Sequence, residues 1–213
     1  MDIASYIDHT ALSPQTTPGD IEKLCMEARQ YKFAAVCVNP LFVPVAVGSL
    51  QGSIVKVTTV AGFPLGAVTF ETKVQETTQA IEQGATEIDM VMAIGPFKAG
   101  DHKAVAQDIA GVVRAAKGHT VKVIIETSLL NPDEIKNASQ IAADNGATFV
   151  KTSTGFGSRG ASIEDIKTMK DAVGDRCRIK ASGGIRTREQ AMAMIEAGAS
   201  RIGTSAGVAI VKG

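Results

Sequence analysis

Three ionisable residues stand where strand periodicity turns them away from their apolar neighbours. In Thr148-Phe149-Val150-Lys151-Thr152-Ser153, Lys151 shares parity with Phe149 and Ser153, and Val150 takes the other face. In Arg178-Ile179-Lys180-Ala181-Ser182, Lys180 opposes Ile179. In Ile88-Asp89-Met90-Val91-Met92, Asp89 opposes the apolar stripe of Ile88, Met90 and Met92. Two lysines and a carboxylate on the inward face of separate strands suit Schiff-base chemistry. A free lysine ammonium, with a pKa of about 10.4, is no nucleophile at neutral pH. Desolvation and a second cation both disfavour its charged form. Bringing it to the useful range is a shift of about 3 units, or about 4 kcal/mol. The carboxylate then moves protons during dehydration. The alternative reading is a buried Lys–Asp ion pair, or strand-end residues reaching water. Convergence of all three favours the chemistry.

A second set of residues suits phosphate. Ser182-Gly183-Gly184-Ile185-Arg186-Thr187 follows the Lys180 strand and leads into a capped helix. Gly203-Thr204-Ser205-Ala206-Gly207 ends the last strand, and Thr154-Gly155-Phe156-Gly157 follows Lys151. Glycines and small hydroxyls at successive strand ends expose backbone N–H groups to an anion. Among the other polar residues, His9 is expected to be hydrogen-bonded and structural. His102 and His119 are expected to face solvent, and Cys37 to be packed inside. Glu126 is left open between an inner acid and a partner for lysine.

The elements that must position these groups alternate. Apolar runs at Ala34 to Val38, Ile54 to Val60, Glu87 to Met92, Val121 to Thr127, Thr148 to Thr152, Cys177 to Ala181 and Arg201 to Thr204 read as strands, with a weaker eighth at Ser5 to Thr10. Near-continuous apolar runs mark strands buried on both faces. Helix starts lie at Thr17-Pro18-Gly19-Asp20, Asn131-Pro132-Asp133-Glu134, Ser162 and Thr187. Gly84, Gly146 and Gly198 each follow a helix and precede a strand, where a left-handed residue is needed. Eight strands alternating with helices leave a closed barrel or an open doubly wound sheet. No GxxxxGK[ST] loop occurs and no Gly-rich nucleotide loop follows the first strand, so the expectation is an α/β fold, a single (β/α)8 TIM barrel over residues 1–213.

Composition narrows the class further. The 213 residues are 45% apolar, which fits a globular protein. Lys plus Arg and Asp plus Glu number 22 each, so there is no basic excess for nucleic acid or an anionic membrane. No run approaches the roughly 18 apolar residues of a transmembrane helix, and Met1 to Ser5 lacks the features of a signal peptide. A cytoplasmic location is expected. Cys25, Cys37 and Cys177 show no metal spacing, and neither metal nor cofactor is expected.

Taken together, these residues resemble the deoxyribose-phosphate aldolase family, class I aldolases on a (β/α)8 barrel. The resemblance runs from Asp8-His9-Thr10 through Cys37-Val38-Asn39-Pro40, Val60-Ala61-Gly62-Phe63-Pro64-Leu65-Gly66 and Glu87-Ile88-Asp89-Met90-Val91. It continues through Val123-Ile124-Ile125-Glu126-Thr127, Phe149 to Gly155 and Ile179 to Arg186. It implies reversible cleavage of 2-deoxy-D-ribose 5-phosphate to D-glyceraldehyde 3-phosphate and acetaldehyde, in deoxyribonucleoside catabolism. Lys151 matches the Schiff-base lysine, Lys180 the lysine that perturbs it, and Asp89 the proton-relay carboxylate. Asp8 matches a carboxylate behind the second lysine. Gly155, Gly183, Gly184, Gly203 and Ser205 match the phosphate-binding positions. The implied partners are a sugar phosphate, an aldehyde and a second copy of the chain, as a homo-oligomer and specifically a dimer. Two departures stand out. Phe156 replaces a lysine that some relatives use for phosphate. The tyrosines are Tyr6 and Tyr31, whereas some relatives end in a Tyr that assists proton transfer.

Overall fold

The computed structural model describes residues 2–213. Eight strands form one closed barrel in sequence order: β1 (Ile7–Ala11), β2 (Ala35–Val38), β3 (Lys56–Ala61), β4 (Glu87–Val91), β5 (Thr120–Ile124), β6 (Phe149–Lys151), β7 (Arg178–Ser182) and β8 (Arg201–Thr204). Every neighbouring pair is parallel, and β8 closes on β1 with Asp8 opposite Gly203. The expected (β/α)8 barrel is therefore the observed fold.

The helices are α1 (Pro18–Tyr31), α2 (Val43–Ser49), α3 (Phe70–Glu82), α4 (Ile94–Lys98), α5 (His102–Ala115), α6 (Pro132–Asp144), α7 (Ile163–Val173), α8 (Arg188–Glu196) and α9 (Gly207–Lys212). The start signals read from the sequence act as written. Thr17 with Asp20, Asn131 with Glu134, and Thr187 with Gln190 close capping boxes, and the Ser162 side chain caps α7. Gly84, Gly146 and Gly198 take φ of 100°, 87° and 119° between helix and strand.

Strand parity divides the interior in two. Val36, Val38, Ile88, Met90, Val121, Val123, Val150, Ile179 and Ile202 point outward and join the helices in one continuous apolar core. The opposite parity fills the barrel itself, with Asp8, Asp89, Lys122, Phe149, Lys151 and Lys180 all buried. Phe149 lies toward the amino end of the strands. The guanidinium of Arg178 stands 4.2 Å from its ring centroid and that of Arg201 stands 5.3 Å away.

Three strand limits differ from the sequence reading by two residues or more. β3 starts at Lys56, and Ile54 is 76% exposed, so the apolar run there begins outside the sheet. β5 stops at Ile124, and Glu126 beyond it is left-handed, with φ 54°. At the amino end, Ile3–Tyr6 forms a 3-10 turn and β1 begins only at Ile7.

Candidate active site

The register of β6 and β7 sets Lys151 beside Lys180, and that of β4 and β5 sets Asp89 beside Lys122. Across the barrel these side chains meet. One oxygen of Asp89, Oδ2, accepts from Lys151 Nζ at 2.8 Å and from Lys180 Nζ at 2.8 Å. The other, Oδ1, accepts from Lys122 Nζ at 2.8 Å. Lys180 also donates to Asp8, which is held in turn by Arg201 at 2.6 Å. Lys122 reaches Glu87 at 2.5 Å, and Arg201 reaches it at 3.2 Å. Lys151, Lys180 and Asp89, named from sequence, are thus brought into direct contact. Asp8, which the resemblance put near the second lysine, touches it. Lys122, Glu87 and Arg201 were missed. Lys122 carried the same signal as Lys151, a lysine between Val121 and Val123 on a buried strand.

The electrostatics separate the lysines. Burial pushes the Lys151 amine below its ordinary pKa, Asp89 pushes it back up, and Lys180 lowers it again, for a net downward shift. Burial also opposes charge on Lys180, but Asp8 and Asp89 together hold it well above the usual lysine range. Burial raises the Asp89 carboxyl, yet Lys122, Lys151 and Lys180 bring it well below the ordinary value. Asp8 follows the same pattern, with Lys180, Lys122 and Arg201 overcoming burial. Inside the barrel, Asp8, Glu87 and Asp89 face Lys122, Lys151, Lys180 and Arg201. With every group ionised the interior carries one surplus positive charge. Loss of a proton from Lys151 removes it.

Lys151 opens into a cavity of about 470 Å³ at the carboxyl end of the strands. Among the described lining residues it is the one lysine, while Asp89 and Lys180 lie beneath, fully buried. The cavity wall includes Gly155, Gly183, Gly184, Gly203 and Ser205, together with Arg186. All five sequence-named phosphate positions therefore line the same cavity as Lys151. A Cβ on Gly203 would come within 3.1 Å of Lys180 Cε, so that glycine makes room for the second lysine. Phe156 lines the mouth and meets Phe63 edge to face, with ring centroids 5.4 Å apart.

The remaining sequence-named groups settle outside the chemistry. His9 is buried on the outer side of β1, its Nε2 2.8 Å from Glu27, as expected of a structural histidine. His102 and His119 are exposed. Cys37 is buried, and burial raises its thiol to about 11. Glu126 does not pair with a lysine: its carboxyl group accepts from Thr154 and Ser128.

Fold and site together define a barrel enzyme with a buried amine opening into a glycine-walled cavity. Known proteins narrow that class. The model of the DeoC/LacD family aldolases matches residues 3–213, and the chain belongs to that family. Deoxyribose-phosphate aldolase of Thermoanaerobacter sp. (strain X514) is 55% identical over 215 residues, spanning 100% of this chain and 96% of the relative. Deoxyribose-phosphate aldolase 1 of Bacillus licheniformis is 58% identical over 212 residues, spanning 99% and 95%. The tetrameric deoxyribose phosphate aldolase structure from Aeropyrum pernix superimposes with a TM-score of 0.92 at 34% identity, covering 99% of this chain and 89% of that one. The chain is an aldolase.

Proposed function

We propose that this aldolase reversibly cleaves 2-deoxy-D-ribose 5-phosphate to D-glyceraldehyde 3-phosphate and acetaldehyde through a Schiff base on Lys151, in deoxyribonucleoside breakdown. The observation that carries the reading is the position of Lys151: the one lysine lining the cavity, with its pKa lowered, in contact with a carboxylate that also touches a fixed cation. The names of its relatives supply the substrate.

In the cleavage direction, neutral Lys151 Nζ attacks C1 of the open-chain sugar. The carbinolamine loses water once its hydroxyl receives a proton, passed from Lys180 through Asp89 Oδ2, and an iminium forms. The C3 hydroxyl then returns a proton through Asp89 Oδ2 to Lys180 as the C2–C3 bond breaks. The electron pair moves toward the iminium nitrogen, leaving an enamine and releasing glyceraldehyde 3-phosphate. Protonation of the enamine at C2 and addition of water free acetaldehyde and the amine. The iminium is the electron sink, so the route uses no metal. Gly155, Gly183, Gly184, Gly203 and Ser205 surround the phosphate, and Arg186 supplies the cationic charge that Phe156 does not.

The same reading makes residues 1–213 one catalytic domain, working in the cytoplasm as a homo-oligomer, with a dimer the simplest form. Among the described residues no helix is long and apolar enough to cross a membrane.

Borohydride trapping tests the chemistry. Reduction in the presence of acetaldehyde is expected to place an ethyl group on Lys151 and abolish activity, read by peptide mapping, with chelators having no effect. Labelling at another residue, or none, would reduce the lysines to anion ligands. Dihydroxyacetone phosphate or pyruvate replacing acetaldehyde as donor would assign a different substrate.

A further inference from the structure

Glu126 has no part in the reaction above, yet it is buried at the end of β5 and faces the loop that follows β6. Its Oε2 accepts two bonds from one residue, from Thr154 N at 3.1 Å and from Thr154 Oγ1 at 2.5 Å. Ser128 Oγ donates to Oε1 at 3.1 Å. Because the Thr154 hydroxyl gives its proton to Glu126, its free lone pair is turned to accept from Phe156 N at 3.0 Å. The amides at 154 and 156 are therefore both drawn inward. Between them Gly155 stands at φ 89°, with nothing within 4 Å of where a Cβ would stand. Its N–H donates to no protein group among the described residues, and it lines the cavity.

From this chain of donors we infer that Glu126 is a positioning residue that aims the Gly155 N–H at the substrate phosphate. It thereby favours phosphorylated over free sugars. The inference rests on the proposed phosphate site. A carboxyl group this close to an anion is electrostatically unfavourable, so its value lies in geometry and not in charge. That distinction makes the test selective. A glutamine can offer its amide oxygen to both Thr154 donors and its NH2 to Ser128 Oγ, whereas an alanine can do neither.

The experiment measures inorganic phosphate binding by calorimetry, together with the ratio of kcat/KM for deoxyribose 5-phosphate over deoxyribose. Glu126→Ala is expected to weaken phosphate about tenfold and lower the ratio by about as much, the loss of one hydrogen bond to a charged group. Glu126→Gln is expected to restore both to within about threefold of wild type. Should Glu126→Ala not fold, Thr154→Val is expected to show the same loss and Thr154→Ser to recover it. Alanine and valine variants that bind phosphate like wild type overturn the inference, as does equal loss on both sugars or a glutamine variant no better than alanine. A wild-type protein that neither binds phosphate nor cleaves the sugar phosphate overturns the proposed function instead.

Discussion

At Lys151, three influences compete, and their order decides reactivity. Burial works against the ammonium most strongly, Asp89 defends it, and Lys180 tips the balance back. Lys180 can do so because Asp8 and Asp89 keep it protonated throughout the neutral range. Replacing Lys180 by Leu removes the cation, so the Lys151 pKa is expected to rise. The pH at which half of Lys151 is trapped by acetaldehyde and borohydride should move upward; an unchanged profile would leave burial as the sole cause. The sequence made Lys151, Lys180 and Asp89 visible because each breaks an apolar strand on the inward parity. Lys122 breaks β5 in the same way and could have been read by the same rule. Glu87 and Arg201 sit at the starts of β4 and β8, where a charged residue is as readily a solvated strand end. Nothing local in the sequence separates those two cases.

At the level of elements, helix starts were legible because a cap is a local contract between residues three apart. Strand ends were less so, because they depend on which neighbour continues the ladder. The run from Val121 to Thr127 reads as one strand, but Glu126 adopts φ 54° and turns its side chain to the next loop. That partner lies in a different βα unit and is invisible to periodicity. The loops after β6 and β7 depend on one another just as closely. Ala161 N donates to the carbonyl oxygens of Ser182 at 3.1 Å and Gly183 at 3.2 Å, and a Cβ on Gly160 would collide with the Gly183 carbonyl. Gly160→Ala must push Gly183 away from the cavity wall. We expect it to weaken inorganic phosphate binding by about tenfold in calorimetry while Lys151 remains open to trapping by acetaldehyde. Phosphate binding at the wild-type level would show that the two loops move independently.

Across the whole molecule, the barrel interior is a set of mutually compensating charges, and acid disrupts it. Asp8 and Asp89 are both held below the ordinary value of 3.8. Groups of that kind add stability that is fully present above their unfolded pKa and lost as pH falls through the folded one. Stability followed by circular dichroism is therefore expected to hold from neutral pH down to about 4 and to fall below it. Loss of structure already above about pH 5, where both carboxyls remain ionised, would place the acid-sensitive element elsewhere. The plugged floor of the barrel has its own consequence. Phe149, flanked by the guanidiniums of Arg178 and Arg201, stops the lower end, and Asp89 and Lys180 expose no surface. Lys151 is the member of this cluster that opens into the cavity, so hydrons reach Asp89 and Lys180 most directly from above. A sugar seated in the mouth is then the cork in its own vessel. With the mouth filled that direct route is shut, and exchange with bulk solvent slows until the product leaves.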